Sequence, residues 1–211
     1  MSKIQEISEF LQKGRAKNVK ALVQEALDEG LDPKEILNEG LLSGMMIIGA
    51  KFKNNEVFVP EVLVAARAMN AGLTVLEPKL VEVGNEPVGK AVIGTVQGDL
   101  HDIGKNLVAM MIESAGFEVI DLGVDVPTEK FVETIKANPD VKIVGCSALL
   151  TTTMPALKAT VEALNAQDFR GNIKVMVGGA PITQEFADEI GADAYTADAA
   201  SAAQKAKELV A

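Results

Sequence analysis

The sequence predicts an α/β protein in two parts, an N-terminal four-helix bundle over residues 1–87 and a doubly wound five-stranded parallel sheet over residues 88–211. Two observations carry this. Up to about residue 80 the apolar residues recur at helical spacing, whereas beyond residue 89 short β-rich runs alternate with helical stretches. Between the two regions, EVGNEPVG (82–89) gathers Gly, Asn and Pro and reads as a linker.

A weak helical segment lies near residues 4–12. Val19, Leu22, Val23, Ala26 and Leu27 then follow the spacing of one buried helical face, and Gly30 stops that helix. Asp32-Pro33-Lys34-Glu35 supplies an N-cap acid, Pro at the first helical position and Glu at the third, so another helix starts there and runs towards Gly49. After the loop KFKNNEVFV, Pro60 opens a fourth helix whose stripe is Val62, Ala65, Ala66, Met69, Leu73 and Leu76. In the second region, KAVIGTV (90–96), FEVIDLG (117–123), VKIVGCS (141–147), IKVMVGG (173–179) and a weaker DAYTA (193–197) read as strands. They alternate with helices near 103–115, 128–137, 154–166, 183–190 and 198–210. The common strand order for such a domain is 2-1-3-4-5, with ligands bound where the chain reverses direction between strands 1 and 3. The loops at that point are residues 97–103 and 147–153.

Composition narrows the function. The net charge of −10 disfavours a nucleic-acid partner, which requires clustered cations. The N-terminus lacks the pattern of a signal peptide, and no apolar run reaches the roughly 18 residues of a membrane span, so a cytoplasmic location without a membrane partner is expected. With one Cys there is no internal disulfide and no multi-Cys zinc site, and Cys146, at the end of an apolar strand, reads as buried and structural.

The sole histidine, His101, stands in the first switch-point loop, QGDLHDIGKN (97–106). A loop His serves as readily as a surface or capping residue, but this position favours a ligand site. Zinc would need three or four protein ligands. No Gly-x-Ser-x-Gly elbow surrounds Ser147. The spacing from Gly98 to Gly104, with Asn106 after the Lys, misses a phosphate-binding loop, and no Gly-x-Gly-x-x-Gly is present. A metal whose equatorial positions are filled by a macrocycle such as a corrin needs only one axial imidazole. Asp99 is then placed to take that ring's other N–H.

Asp99-Leu100-His101-Asp102-Ile103-Gly104 matches the Asp-x-His-x-x-Gly motif of cobalamin-binding domains. Ser147-Ala148-Leu149 matches their Ser-x-Leu, and Gly178-Gly179 their later Gly-Gly. Residues 40–78 also resemble the helical cap that precedes this domain in methionine synthase and in corrinoid proteins of methyltransferase systems. The resemblance covers most of the chain and implies a flavodoxin-like or Rossmann-like B12-binding fold. It implies that cobalamin, as methylcobalamin or a related corrinoid, binds base-off with His101 as the cobalt ligand. Asp99 would be the ligand's hydrogen-bonding partner and Thr153 the next hydroxyl in the relay. Ser147, Leu149 and Thr151 would line the corrin and its nucleotide tail, with Gly98 and Ile103 in the same loops. Gly104, Gly178 and Gly179 would leave room for the tail, although Gly104 equally suits tight helix packing. Asp102 reads as a site residue or simply as the N-cap of the next helix. Phe58 and Met69 belong to the cap stretch that in relatives covers the upper corrin face; burial inside the bundle is the simpler role for each. Met45, Met46, Met110 and Met111 read as core filler.

The resemblance implies a methyl carrier that is not autonomous as an enzyme. It would shuttle a methyl group on cobalt between a substrate-specific methyltransferase and an acceptor methyltransferase, with a reductive activator as a further partner. A cobalamin-dependent sensor is the alternative. A mutase subunit fits less well, since such subunits lack the cap-like helices.

Overall fold

The computed structural model describes residues 2–84 and 86–211; within the expected linker, Asn85 lies outside the described residues. The chain separates into two compact units, Met1–Glu86 and Pro87–Ala211.

The first unit is helical. α1 (Lys3–Gln12) begins at a reciprocal cap, in which the Gln5 N–H donates to the Ser2 hydroxyl and the Ser2 N–H to the Gln5 side chain. α2 (Ala16–Asp28) follows. The Asp32 carboxylate then caps α3 (Pro33–Glu35) by accepting the Lys34 N–H at 2.9 Å. Where one continuous α-helix was expected, a π-helical segment (Ile36–Leu42) joins α3 to α4 (Ser43–Lys53). Gly40 and Gly44 lie in and just after it, and a Cβ on either would press within 3.2 Å of α1 side chains, of Ile7 and of Leu11 and Ser8 respectively.

α5 (Val59–Glu82) runs through Pro78 rather than stopping before it. Leu76 and Leu80, on either side of the proline, are both buried, and that packing offsets the lost N–H. By length and composition α5 could cross a membrane, which the absence of a long apolar run did not foretell; 39% of its most apolar window is buried. Val62, Ala65, Ala66 and Met69 are among its buried residues.

In the second unit, the described strands form one parallel sheet in the order β2-β1-β3-β4-β5. They are β1 (Lys90–Thr95), β2 (Glu118–Asp121), β3 (Val141–Ser147), β4 (Lys174–Gly178) and β5 (Ala194–Tyr195). The connecting helices are α6 (Ile103–Glu113), α7 (Thr128–Ala137), α8 (Met154–Asn165), α9 (Gln184–Ile190) and α10 (Ala199–Val210). The expected order and element sequence are thus present, with β1 one residue shorter at its C-terminal end and β2, β4 and β5 one or two residues shorter at each end. Val92, Val144, Val175 and Val177 from the sheet pack with Phe131, Leu157, Val161 and Leu164 from the helices in one buried cluster. Thr95 pairs with Ser147, and Ser147 with Gly178, so β1, β3 and β4 end level with one another. The loops that leave those ends meet at the point where the chain, having gone outward from β1 to β2, returns to β3.

Candidate functional site

Asp99 is the centre of this meeting point, with 0% of its surface exposed. Its Oδ1 accepts the His101 N–H at 3.1 Å and stands 2.6 Å from His101 Nδ1. Its Oδ2 accepts the Leu149 N–H at 2.7 Å, the Leu150 N–H at 3.3 Å and the Thr153 hydroxyl at 2.7 Å. Burial by itself would raise the carboxyl pKa. The hydrogen bonds from Leu149, His101 and Thr153 outweigh it and hold the group well below the usual carboxylate range.

The histidine's chemistry follows. A carboxylate only accepts, so Nδ1 carries the proton and, in the neutral ring, Nε2 keeps its lone pair. The side chain is 48% exposed. The loop beneath it is fixed as well, since the Thr95 hydroxyl donates to the His101 carbonyl at 2.9 Å. Among the described residues no three His, Cys, Asp or Glu side chains cluster to hold a metal, so a metal at Nε2 would have to bring its remaining ligands with it.

The surroundings are apolar. Among the described residues after 86, the large apolar side chains that stay exposed are Val88, Leu100, Ile103, Leu149 and Leu150. Four of these five flank His101 or donate to Asp99, and Leu100 and Ile103 are 72% and 76% exposed. Beside them Gly104 is open, with no atom within 4 Å of where a Cβ would stand. A half-exposed imidazole with Nδ1 already engaged, in loops that carry exposed apolar side chains, fits a flat macrocyclic metal complex.

Comparison with known proteins agrees with that geometry. A family model described as B12 binding domain matches residues 89–206, and a second with the same description matches residues 3–77. The chain belongs to the B12-binding family. It is 48% identical, over 92% of its length and 90% of the relative's, to dimethylamine corrinoid protein 1 of Methanosarcina acetivorans. It is similar in structure to the methanol:cobalamin methyltransferase complex of Methanosarcina barkeri, with a TM-score of 0.86, 28% identity and coverage of 99% of this chain and 79% of that one. A cobalamin-binding protein of Desulfitobacterium hafniense DCB-2 gives a TM-score of 0.82 at 30% identity, covering 99% of this chain and 98% of that one.

Within this B12-binding chain the structure joins Asp99, His101, Thr153 and Leu149 directly, and sets Ser147 and Gly178 side by side at the strand ends. Thr151 is exposed at the start of the 3-10 turn Thr151–Thr153. Gly98, at φ +84°, gives its N–H to Asp125.

Several expectations change. Asp102 does not cap α6 with its side chain. Its backbone, at φ −118° and ψ −25°, is near-helical where a capping residue is usually extended, and its carboxylate accepts the Asn106 side chain at 3.3 Å instead. Gly104 is not demanded by helix packing. Gly179 is demanded by the chain itself: at φ +130°, a Cβ there would lie 1.8 Å from the Ala148 carbonyl oxygen. Met69 is buried, but Phe58 is 63% exposed because it forms the extended entry to α5, where its N–H donates to the Glu61 carboxylate. Met46 is likewise exposed rather than core, while Met45 and Met111 are buried. Cys146 is buried as expected, and burial pushes its thiol up to about 12.

Sequence reasoning did not single out Thr95, Leu100, Leu150, Asp125 or the Lys105–Asp121 ion pair that ties α6 to the end of β2. Exposed leucines inside polar loops were a usable signal. The buried Thr95 and the Lys105–Asp121 contact depend on tertiary neighbours that no local pattern reports.

Proposed function

We propose that this chain is a corrinoid methyl carrier that holds cobalamin base-off, with His101 Nε2 as the lower cobalt ligand. The observation that carries the reading is the imidazole's arrangement, with Nδ1 tied to a buried carboxylate and the side chain half-exposed, in loops that also carry exposed apolar side chains. Bound, the corrinoid would supply the cobalt on which a methyl group travels between a substrate methyltransferase and an acceptor methyltransferase. The chain's own residues do the rest. Asp99 fixes the tautomer and the orientation of the ring, and Thr153 and the Leu149 N–H keep that carboxylate ionised and immobile. Leu100, Ile103, Leu149 and Leu150 offer exposed apolar surface for the corrinoid to cover.

The name of the relative at 48% identity supports a methylated amine as the methyl source, delivered by a separate methyltransferase. A reductive activator belongs to the same scheme, since a carrier whose cobalt is oxidised must be returned to service. Protein labelled with 15N-histidine and loaded with cob(II)alamin tests the ligation by electron paramagnetic resonance. A nitrogen triplet in unlabelled protein should become a doublet on labelling and vanish in His101→Ala. A triplet indifferent to the label would overturn the assignment. Methylation of the loaded protein by methylamine-specific and methanol-specific methyltransferases then tests the methyl source, and transfer from the methanol enzyme alone would refute the amine reading.

A further inference from the structure

The His101 loop is gripped from below by Asp99 and from the side by a residue of another connection. Asp125 lies between β2 and α7, exposed, and holds a left-handed backbone at φ +53°. Only two non-glycine residues among those described do so, the other being Asn55. Such a conformation is unfavourable for a residue with a Cβ and persists where its surroundings enforce it. Here both ends of Asp125 are engaged with the ligand loop. Its carboxylate accepts the Gly98 N–H at 2.7 Å, and its own N–H donates to the Asp99 carbonyl at 2.9 Å. The segment is pinned on both sides as well, because the Thr95 N–H donates to the Gly123 carbonyl and the Val126 N–H to the Thr95 carbonyl. Asp125 therefore spans the peptides that bracket the turn between the end of β1 and Asp99.

We propose that Asp125 is a positioning residue for the His101 ligand, acting through the backbone of Gly98 and Asp99. Rotation of the 98–99 segment would move the Asp99 carboxylate and with it the imidazole plane that the carboxylate orients. The short contact to Gly98 is a charge-assisted hydrogen bond, stronger than its exposed position would suggest. Two features of aspartate are needed together, tolerance of the left-handed region and an acceptor oxygen one carbon beyond Cβ. Asparagine has both, glycine has only the first, and alanine has neither.

The inference rests on His101 being the axial ligand, so the test separates the two. Cobinamide, which lacks the nucleotide tail, reads axial ligation without the tail's contribution. Its affinity is measured for the full chain, Asp125→Gly, Asp125→Asn and His101→Ala, and for Asp125→Gly combined with His101→Ala. Asp125→Gly should weaken cobinamide binding about fivefold, the worth of one hydrogen bond, and Asp125→Asn should stay within about twofold of the unaltered chain. In the His101→Ala background, Asp125→Gly should cost nothing further. An unchanged affinity in Asp125→Gly overturns the proposal. An equal loss in both backgrounds overturns it too, because the residue would then shape the surface and not the ligand. Asparagine failing as badly as glycine would refute the acceptor role. If His101→Ala binds as the unaltered chain does, the ligation reading itself falls and takes this inference with it, whatever Asp125 does.

Discussion

Asp99 keeps a full negative charge with no exposed surface because five donors from four residues converge on its two oxygens. Its carboxyl is held below its unfolded value of about 4, so the stabilisation is fully present above that pH and is lost as pH falls through the lower folded value. Urea unfolding from pH 6 down to pH 2 should therefore show stability declining below about pH 4, and Asp99→Asn should flatten that decline. Equal slopes in the two proteins would contradict it. Asp99→Ala should cost about 3 kcal/mol near neutral pH, since the Leu149 N–H and the Thr153 hydroxyl lose their acceptor. The thiol at Cys146 gives an independent check on the core: fully buried and pushed up to about 12, it should react with an aromatic disulfide reagent only as fast as the protein opens. Rapid labelling of the folded protein would show that β3 is more accessible than its packing implies.

At the level of elements, Gly104 in the first turn of α6 and Gly179 just after β4 do different work, and substitutions can tell them apart. Gly104 lies in the first turn of α6 with open space around it, so Gly104→Ala should leave stability equal or raise it by up to about 1 kcal/mol through helix propensity. The same change should weaken corrinoid binding if the ligand occupies that space. Gly179→Ala meets the Ala148 carbonyl oxygen and a left-handed φ, and should destabilise the fold by at least about 3 kcal/mol. Thermal melts with and without corrinoid distinguish the two, and a Gly179→Ala as stable as the unaltered chain would contradict the close approach.

The sequence made the parallel sheet legible because β1, β3 and β4 are dense in Val and Ile and are buried along most of their length. β2 and β5 lie at the sheet edges and are short, so their limits were blurred. The motif Asp99-x-His101 was readable for a different reason: its two side chains are neighbours in sequence, and the contact between them is local. Thr153, named only by resemblance, meets the same carboxylate across 54 residues, and Asp125 meets Gly98 across 27; no local pattern reports such contacts. The π-helical segment was hidden because Ile36–Leu42 has ordinary helical composition, and the close approach of Gly40 to Ile7 of α1 is a tertiary contact that composition does not report.

On the scale of the whole chain, each of the two compact units buries apolar residues of its own. A buried cluster within residues 92–190 packs α7, α8 and α9 on the sheet, Leu107, Met111, Ala202 and Ala206 of α6 and α10 are buried in the same unit, and Ile7, Leu11, Val19, Val23 and Leu41 are buried in the helical unit. The hydrogen bonds that set the His101 loop all originate between Thr95 and Thr153. A fragment of residues 87–211 should accordingly fold by itself, since a domain with its own core does not depend on a neighbour for its stability. It should unfold in one cooperative transition and, loaded with cob(II)alamin, show the same nitrogen splitting from His101 as the full chain. A bound corrinoid should also raise its melting temperature with increasing ligand concentration, as any ligand of the folded state does. A fragment that lacks a cooperative transition would show that the cores are not independent. One that folds and binds corrinoid without histidine ligation would show that geometry at His101 depends on residues 1–86. That second outcome would shift the origin of ligation from the Asp99 network to the helical unit, because nothing among the bonds at Asp99 and His101 would have changed.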